Sequence, residues 1–284
     1  MSKRSNRKFV LWFMLILFTP HISLASVLSD HNSMYVGIQY KPARQHLSKL
    51  LIKESAANTV EVFGLKKDLS SDLLTSIRSN TNFSIKYNPH YEDNRLGFSG
   101  IFGYYHNKNF RIESEISYET FHIKNKGYQR VDCEKHFALA QQLDISNPNP
   151  AEHKYVTLIN NGISLTSALI NVCYDVDGLK HNIITYSCLG FGADTIDFLS
   201  KYTTKFSYQG KLGASYTVSP QVSVFIEGYY HGLFGKKFEK IPVNYPCDYP
   251  SLTLPGNKPH VLTTALAMLS IGYYGGSIGI KFIL

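Results

Sequence analysis

The chain has 284 residues, with 29 Lys and Arg against 21 Asp and Glu, and its aromatic content is 20 Tyr and 17 Phe beside a single Trp. Four of the cations sit in the first eight residues, so 29 less 4 leaves 25 against 21, a surplus of four for the remainder. A surplus that small and that scattered excludes a nucleic-acid-binding protein, whose basic residues would cluster, and the length suits one sizeable β domain or two ordinary ones.

Lys3, Arg4, Arg7 and Lys8 precede an unbroken apolar run from Phe9 to Phe18. Thr19 and Pro20 interrupt it, and Ser23-Leu24-Ala25 supplies small residues where a signal peptidase reads. This pattern predicts a secretory signal peptide over residues 1–25, cleaved at Ala25. The apolar run is shorter than the roughly 20 residues that a spanning helix needs. Residues 26–284 are then one exported domain.

From there the chain alternates with period two, the pattern of a strand with one apolar face. Val36, Ile38 and Tyr40 share a face, as do Leu96, Phe98, Phe102 and Tyr104. Phe110, Ile112, Ile116 and Tyr118 oppose Arg111, Glu113, Glu115 and Glu119. Ala168, Ile170, Val172, Tyr174 and Val176 oppose Ser167, Asn171, Cys173 and Asp175. Ile183 to Ala193 is apolar on both sides, and its orientation stays open. Phe206, Tyr208, Leu212, Ala214 and Tyr216 oppose Lys205, Ser207, Gln209 and Lys211, and Val224, Ile226 and Tyr230 oppose Glu227, Tyr229 and His231. The last run places Ile278, Ile280, Phe282 and Leu284 opposite Ser277, Gly279 and Lys281.

That makes about eight strands. Their connections alternate: long near 42–95, short at 106–109, long near 123–162, short at 177–181, middling near 194–204, short at 219–221 and long near 235–268. Asn, Gly and Pro mark the short ones, as tight hairpins require. The expected fold is all-β: an antiparallel up-and-down transmembrane β-barrel in outer-membrane lipid, with long external loops and short periplasmic turns. A sheet in lipid must close on itself, because no backbone group can be left unpaired there. Tyr40, Tyr104, Tyr118 and Tyr174 lie near strand ends, where interfacial aromatic girdles belong.

The inward parity brings Arg111, Glu113, Glu115, Glu119, Lys205, Lys211, Glu227 and Lys281 into the lumen. An eight-stranded barrel is only wide enough for its own side chains, so these charges are expected to form a salt-bridged plug, with Arg111 reaching carboxylates bidentately. An exported chain can form disulfides. The spacing pairs Cys133 with Cys247 across two loops and Cys173 with Cys188 across one hairpin, free or intermolecular thiols being the alternative. No metalloprotease, phosphate-loop or nucleophile-elbow motif occurs, so the chain reads as no enzyme, without cofactor or metal. The glycines of GFGAD at 190–194 read as close strand packing, and His231 as lumen filling.

Beyond this pattern the chain resembles the major surface antigens of the Ehrlichia and Anaplasma group. The likeness is carried by VEVFGLKKD from Val60, ISYETFHIKNKG from Ile116, NVCYDV from Asn171, FSYQGKLGASYTVSP from Phe206 and VSVFIEGYYH from Val222. The resemblance implies an abundant outer-membrane surface antigen with variable external loops. Its partners would be host antibodies or receptors at the loops and the barrel-assembly machinery at the C-terminal strand, with a second copy of the chain as a further candidate. Porin-like diffusion of small hydrophilic solutes is the alternative function, associated with some members. Two departures are the final Leu284, where relatives often carry Phe, and the poorly matching stretches 123–162 and 235–268.

The purified exported chain should be β-rich in detergent by circular dichroism and change gel mobility on heating. A helix-dominated spectrum would refute the barrel.

Overall fold

The alternating stretches pair edge to edge until the sheet meets its own beginning. The computed structural model describes residues 33–55, 59–70, 72–141, 155–177, 183–244 and 263–284; the expected signal peptide and Ala25 lie outside them. In chain order the first elements are β1 (Met34–Tyr40), β2 (Arg44–Leu47), β3 (Leu51–Glu54), β4 (Thr59–Leu65) and the short helix α1 (Leu73–Ser76). They are followed by β5 (Phe83–Lys86), β6 (Phe98–Tyr105), β7 (Phe110–Phe121), β8 (His136–Gln141) and β9 (Tyr155–Ile159). The long strands β10 (Ile163–Asp177), β11 (Ile183–Phe198), β12 (Lys201–Ser219) and β13 (Val222–Leu233) come next, then β14 (Lys237–Ile241), β15 (Ala265–Met268) and β16 (Ile271–Ile283). Eight of these close an antiparallel barrel in the order β1-β6-β7-β10-β11-β12-β13-β16, with β16 pairing back onto β1 from Tyr35↔Ile283 to Tyr40↔Ile278.

The apolar rows lie on the outside. Ile38, Phe98, Ile116, Ile170, Phe191, Phe206, Leu212, Ile226 and Ile278 are all exposed, Leu212 to 70%. A continuous apolar belt of this kind is stable against lipid tails and would be an aggregation surface in water. Aromatic pairs edge the belt: Tyr40 with Phe98 toward the loop end, and Phe110 with Tyr174 toward the turns. No helix among the described residues is long and apolar enough to cross a membrane; the crossing is made by strands. The unresolved orientation of the Ile183 to Ala193 stretch is settled with Leu189 and Phe191 outward and Tyr186 and Cys188 buried.

Pro42 sets one local feature of the barrel. It has no N–H to give a ladder, and the first strand breaks there. Lys41 N–H instead donates to the Gly97 carbonyl, and Ala43 pairs with Asn94. Pairing with β16 resumes in β2 without a register change, since Tyr40 faces Ile278 and Arg44 faces Tyr274.

One expectation is corrected at the loop end of the barrel. Residues 194–204 are not a loop: β11 and β12 stay paired to Phe198↔Lys201. Leu199 and Ser200 form a two-residue turn with φ of 52° and 61°, the left-handed geometry that matches strand twist in a tight hairpin. The polar Asp, Thr and Lys residues there read as loop, but Ile196 and Phe198 are buried. The described parts of the long external connections 42–95, 123–162 and 235–268 carry short strands of their own. They build a three-stranded sheet, β14-β15-β3, and a four-stranded one, β5-β4-β8-β9. An apolar core including Phe121, Phe137, Leu139, Leu158, Phe198 and Phe238 fills the space between these sheets and the barrel strands.

Replacing Leu212 with Lys should cost about 2–4 kcal/mol in liposome unfolding titrations, the range for a cation forced onto the lipid face near the midplane. Unchanged stability would mean that this row does not face lipid.

Candidate functional site

The lumen is built from residues two apart on successive strands. On β7, Arg111, Glu113, Glu115 and Glu119 all point inward and are at most 2% exposed. Glu115 takes Lys41 Nζ at 2.6 Å on one oxygen and Lys211 Nζ at 2.5 Å on the other. Gln209 adds a hydrogen bond at 2.9 Å. Glu113 accepts from Arg111 at 2.8 Å, Lys211 at 2.9 Å and the Tyr35 hydroxyl at 2.7 Å. Arg111 Nε donates to both oxygens of Asp175, at 3.0 and 3.2 Å. Glu227 receives the Tyr186 hydroxyl at 3.0 Å and the Ser277 hydroxyl at 3.1 Å, with Lys211 at 3.5 Å. Lys281 lies over the rings of Tyr35, Tyr186 and Phe225, so aromatic faces solvate its charge. Inward glycines make room: a Cβ at Gly103 would land on the Tyr35 ring and one at Gly213 on the Tyr186 ring.

A second polar layer lies toward the loops. His231 Nε2 meets Asp194 Oδ2 at 2.8 Å, both fully buried, and the imidazole stacks on Tyr273 at 4.6 Å. Glu119 bonds Asn94 rather than a lumen cation. Phe121, Tyr229 and Tyr273 then join the apolar core of the loop layer. The interior thus runs from ion pairs to a buried imidazole and on to hydrocarbon.

Of the eight predicted lumen charges, Arg111, Glu113, Glu115, Lys211 and Glu227 are linked by direct contacts. Lys281 sits among their aromatic neighbours and Glu119 one layer higher. Lys205 is a correction. It donates to the carbonyls of Gly235 and Lys237 and lies over the Phe238 ring, outside the network. Its parity is inward, but its height on β12 puts it at the loop rim. The network also includes Lys41 and Asp175. Both were visible as inward positions, Lys41 by alternation from Gln39 and Asp175 from Cys173. Asp194 was hidden by the loop reading of 194–204. Cys173 and Cys188, directly opposed in register, are joined by a disulfide. Cys133 is buried and has no sulfur partner among the described residues; Cys247 lies outside them. Burial and the adjacent Glu134 carboxylate push the Cys133 thiol above its ordinary value, which disfavours the reactive thiolate. Gly190 and Gly192 pack against Asn171 and the Ala168 carbonyl, close strand contacts without a phosphate cradle. Among the described residues no three His, Cys, Asp or Glu side chains converge as a metal site.

A closed antiparallel sheet with an apolar outer belt, aromatic borders and a charge-filled interior is a bacterial outer-membrane β-barrel. Its sequence places it further: the chain belongs to the surface antigen family, whose profile matches residues 28–284. It is 29% identical over 254 residues to major surface antigen 4 of Anaplasma marginale, covering 88% of this chain and 83% of that one. Among solved structures it is similar to the outer membrane protein OprG of Pseudomonas aeruginosa (TM-score 0.46, 11% identity, 91% of this chain and 99% of that one). It is also similar to Neisserial surface protein A (TM-score 0.36, 12% identity, 88% and 96%). Its family and its closed barrel make the protein a surface-exposed outer-membrane antigen.

Glu115→Gln should destabilise the barrel by about 3–5 kcal/mol in urea titrations in liposomes, because it leaves the buried Lys41 ammonium without its carboxylate and Lys211 with one fewer. Lys66→Ala or Lys67→Ala in the loop layer should stay within about 0.5 kcal/mol. A Glu115→Gln variant as stable as these would mean that water already screens the lumen.

Proposed function

We propose that the barrel is an occluded anchor and that the folded loop layer is the working part, presented at the cell surface to host antibodies or receptors. The observation that carries this reading is the Lys41–Glu115–Lys211 bridge, which crosses the lumen with none of its three side chains more than 1% exposed. A diffusion pore for hydrophilic solutes needs a hydrated path, and here the polar groups hydrate one another. The apolar core beneath the loops blocks the same axis a second time. We assign no catalytic step and no cofactor. The strand ending at Ile283 is the segment that assembly machinery would read, and a second copy of the chain would meet the first through the lipid-facing belt.

Refolded protein in planar bilayers should show at most brief, low-conductance events. Antibodies raised against 124–130 should label intact cells, and antibodies against the turn at 106–109 should not. Large steady conductance would overturn occlusion in favour of the porin-like alternative. Labelling only at 106–109 would invert the topology and remove the display function.

A further inference from the structure

The loop layer carries a groove with an unusual share of the molecule's charge. Three hollows of about 460, 200 and 530 Å³ adjoin one another. The first and second share Asn88, Pro89, His90, Lys124 and Lys126. The first and third share Lys49 and Leu50, and the second and third share Lys86 and Tyr87. Together they are lined by six lysines, Lys49, Lys53, Lys67, Lys86, Lys124 and Lys126, against two carboxylates. Of those carboxylates, Glu61 approaches Lys86 at 3.7 Å and Glu134 is buried. The net of four positive charges equals the surplus of the whole exported chain.

The backbone under the groove is fixed. Tyr91 and Ile123 form a β-bridge, Lys124 N–H donates to the His90 carbonyl at 2.7 Å and Glu92 N–H to the His122 carbonyl at 2.7 Å. Lys124 therefore stands on a braced backbone, and Lys49 and Lys126 line the same hollow. Burial lowers the His90 imidazole below its ordinary value, and the ammonium groups of Lys126 and Lys124 lower it further.

We propose that this groove binds a sulfated polysaccharide chain. The argument is one of matching repeat. Six cations distributed over three connected hollows suit a polymer with an anionic group on each unit, whereas a single phosphate would use one hollow. The groove floor is half-buried Tyr87 and Pro89 rather than exposed rings. That disfavours a single-stranded nucleic acid, whose bases stack on free aromatic faces. The inference rests on the loop layer facing outward, where such chains are met.

The test uses the exported chain refolded in detergent micelles, with a size-defined heparin fragment as probe and calorimetry as readout. Lys49→Gln/Lys124→Gln/Lys126→Gln should weaken binding about tenfold or more at physiological salt and reduce its salt dependence. Lys236→Gln/Lys237→Gln/Lys240→Gln removes as many charges from another exposed stretch and should stay within about twofold. Lys49→Gln and Lys126→Gln alone should each weaken binding severalfold, which keeps the test decisive if the triple variant misfolds. No binding of the fragment, equal loss in both triple variants, or tighter binding of polyglutamate or a single-stranded oligonucleotide would each overturn the proposal. Since micelle binding depends on neither conductance nor cell-surface labelling, its failure leaves the display reading standing, and the failure of that reading is seen on cells.

Discussion

Eight strands enclose a space no wider than the side chains that point into it, and a charge in that space must be answered by another side chain. Glu115 held between Lys41 and Lys211 is the point on which the interior turns. Lys211 also reaches Glu113 and Glu227, and Glu113 hands the network on to Arg111 and Asp175. The strands supplying these groups, with Lys41 just beyond β1, lie on all sides of the barrel, so the bridges act across the lumen as the backbone ladder acts around it. Inward glycines at 103 and 213 follow from the same crowding, because Tyr35 and Tyr186 need their rings within reach of Glu113 and Glu227. A barrel bound through its middle in this way fills its lumen with its own side chains.

Much of this was legible as parity. Alternation assigns a residue to lipid or lumen, and the assignment held along β1, β6, β7, β10, β12, β13 and β16. Parity carries no information about height. Lys205 and Lys211 share a face of β12, yet one holds loop carbonyls at the rim while the other is buried among three carboxylates. Nor does it name partners: Asp194 and His231 are 37 residues apart and meet only because the barrel curves β13 toward β11. Residues 194–204 were misread because the hairpin rises out of the lipid there. Its outer face no longer needs apolar residues, and Ile196, Phe198 and Leu199 record the burial.

The loop layer was the least legible part for a related reason. In the membrane one face of each strand sees a single solvent, hydrocarbon, and the pattern is clean. Above it the short strands pack one face on a shared core and leave the other to water, with runs of only four to seven residues in which a period can show. The apolar core under these sheets has a functional consequence. Groups distant in sequence, such as Lys49 and Lys124, are held in fixed relation, so what the surface offers to a binding protein is a shape assembled from several segments.

Charge is partitioned in keeping with that division of labour. The lumen takes the carboxylates of Glu113, Glu115, Glu119, Asp175, Asp194 and Glu227 and the cations Lys41, Arg111, Lys211 and Lys281, all nearly inaccessible. From the exported chain's 25 cations and 21 carboxylates, removing four and six leaves 21 against 15 for every other position. The interior is slightly acidic, and the rest of the exported chain is more basic than its total suggests. Lipid-facing rows cannot carry charge cheaply, so the excess falls to surfaces that meet water. In the loop layer it is concentrated along the braced groove between Lys49 and Lys126. The same low-permittivity belt that forces the lumen charges to pair therefore also leaves the surplus cations to the surfaces that meet water.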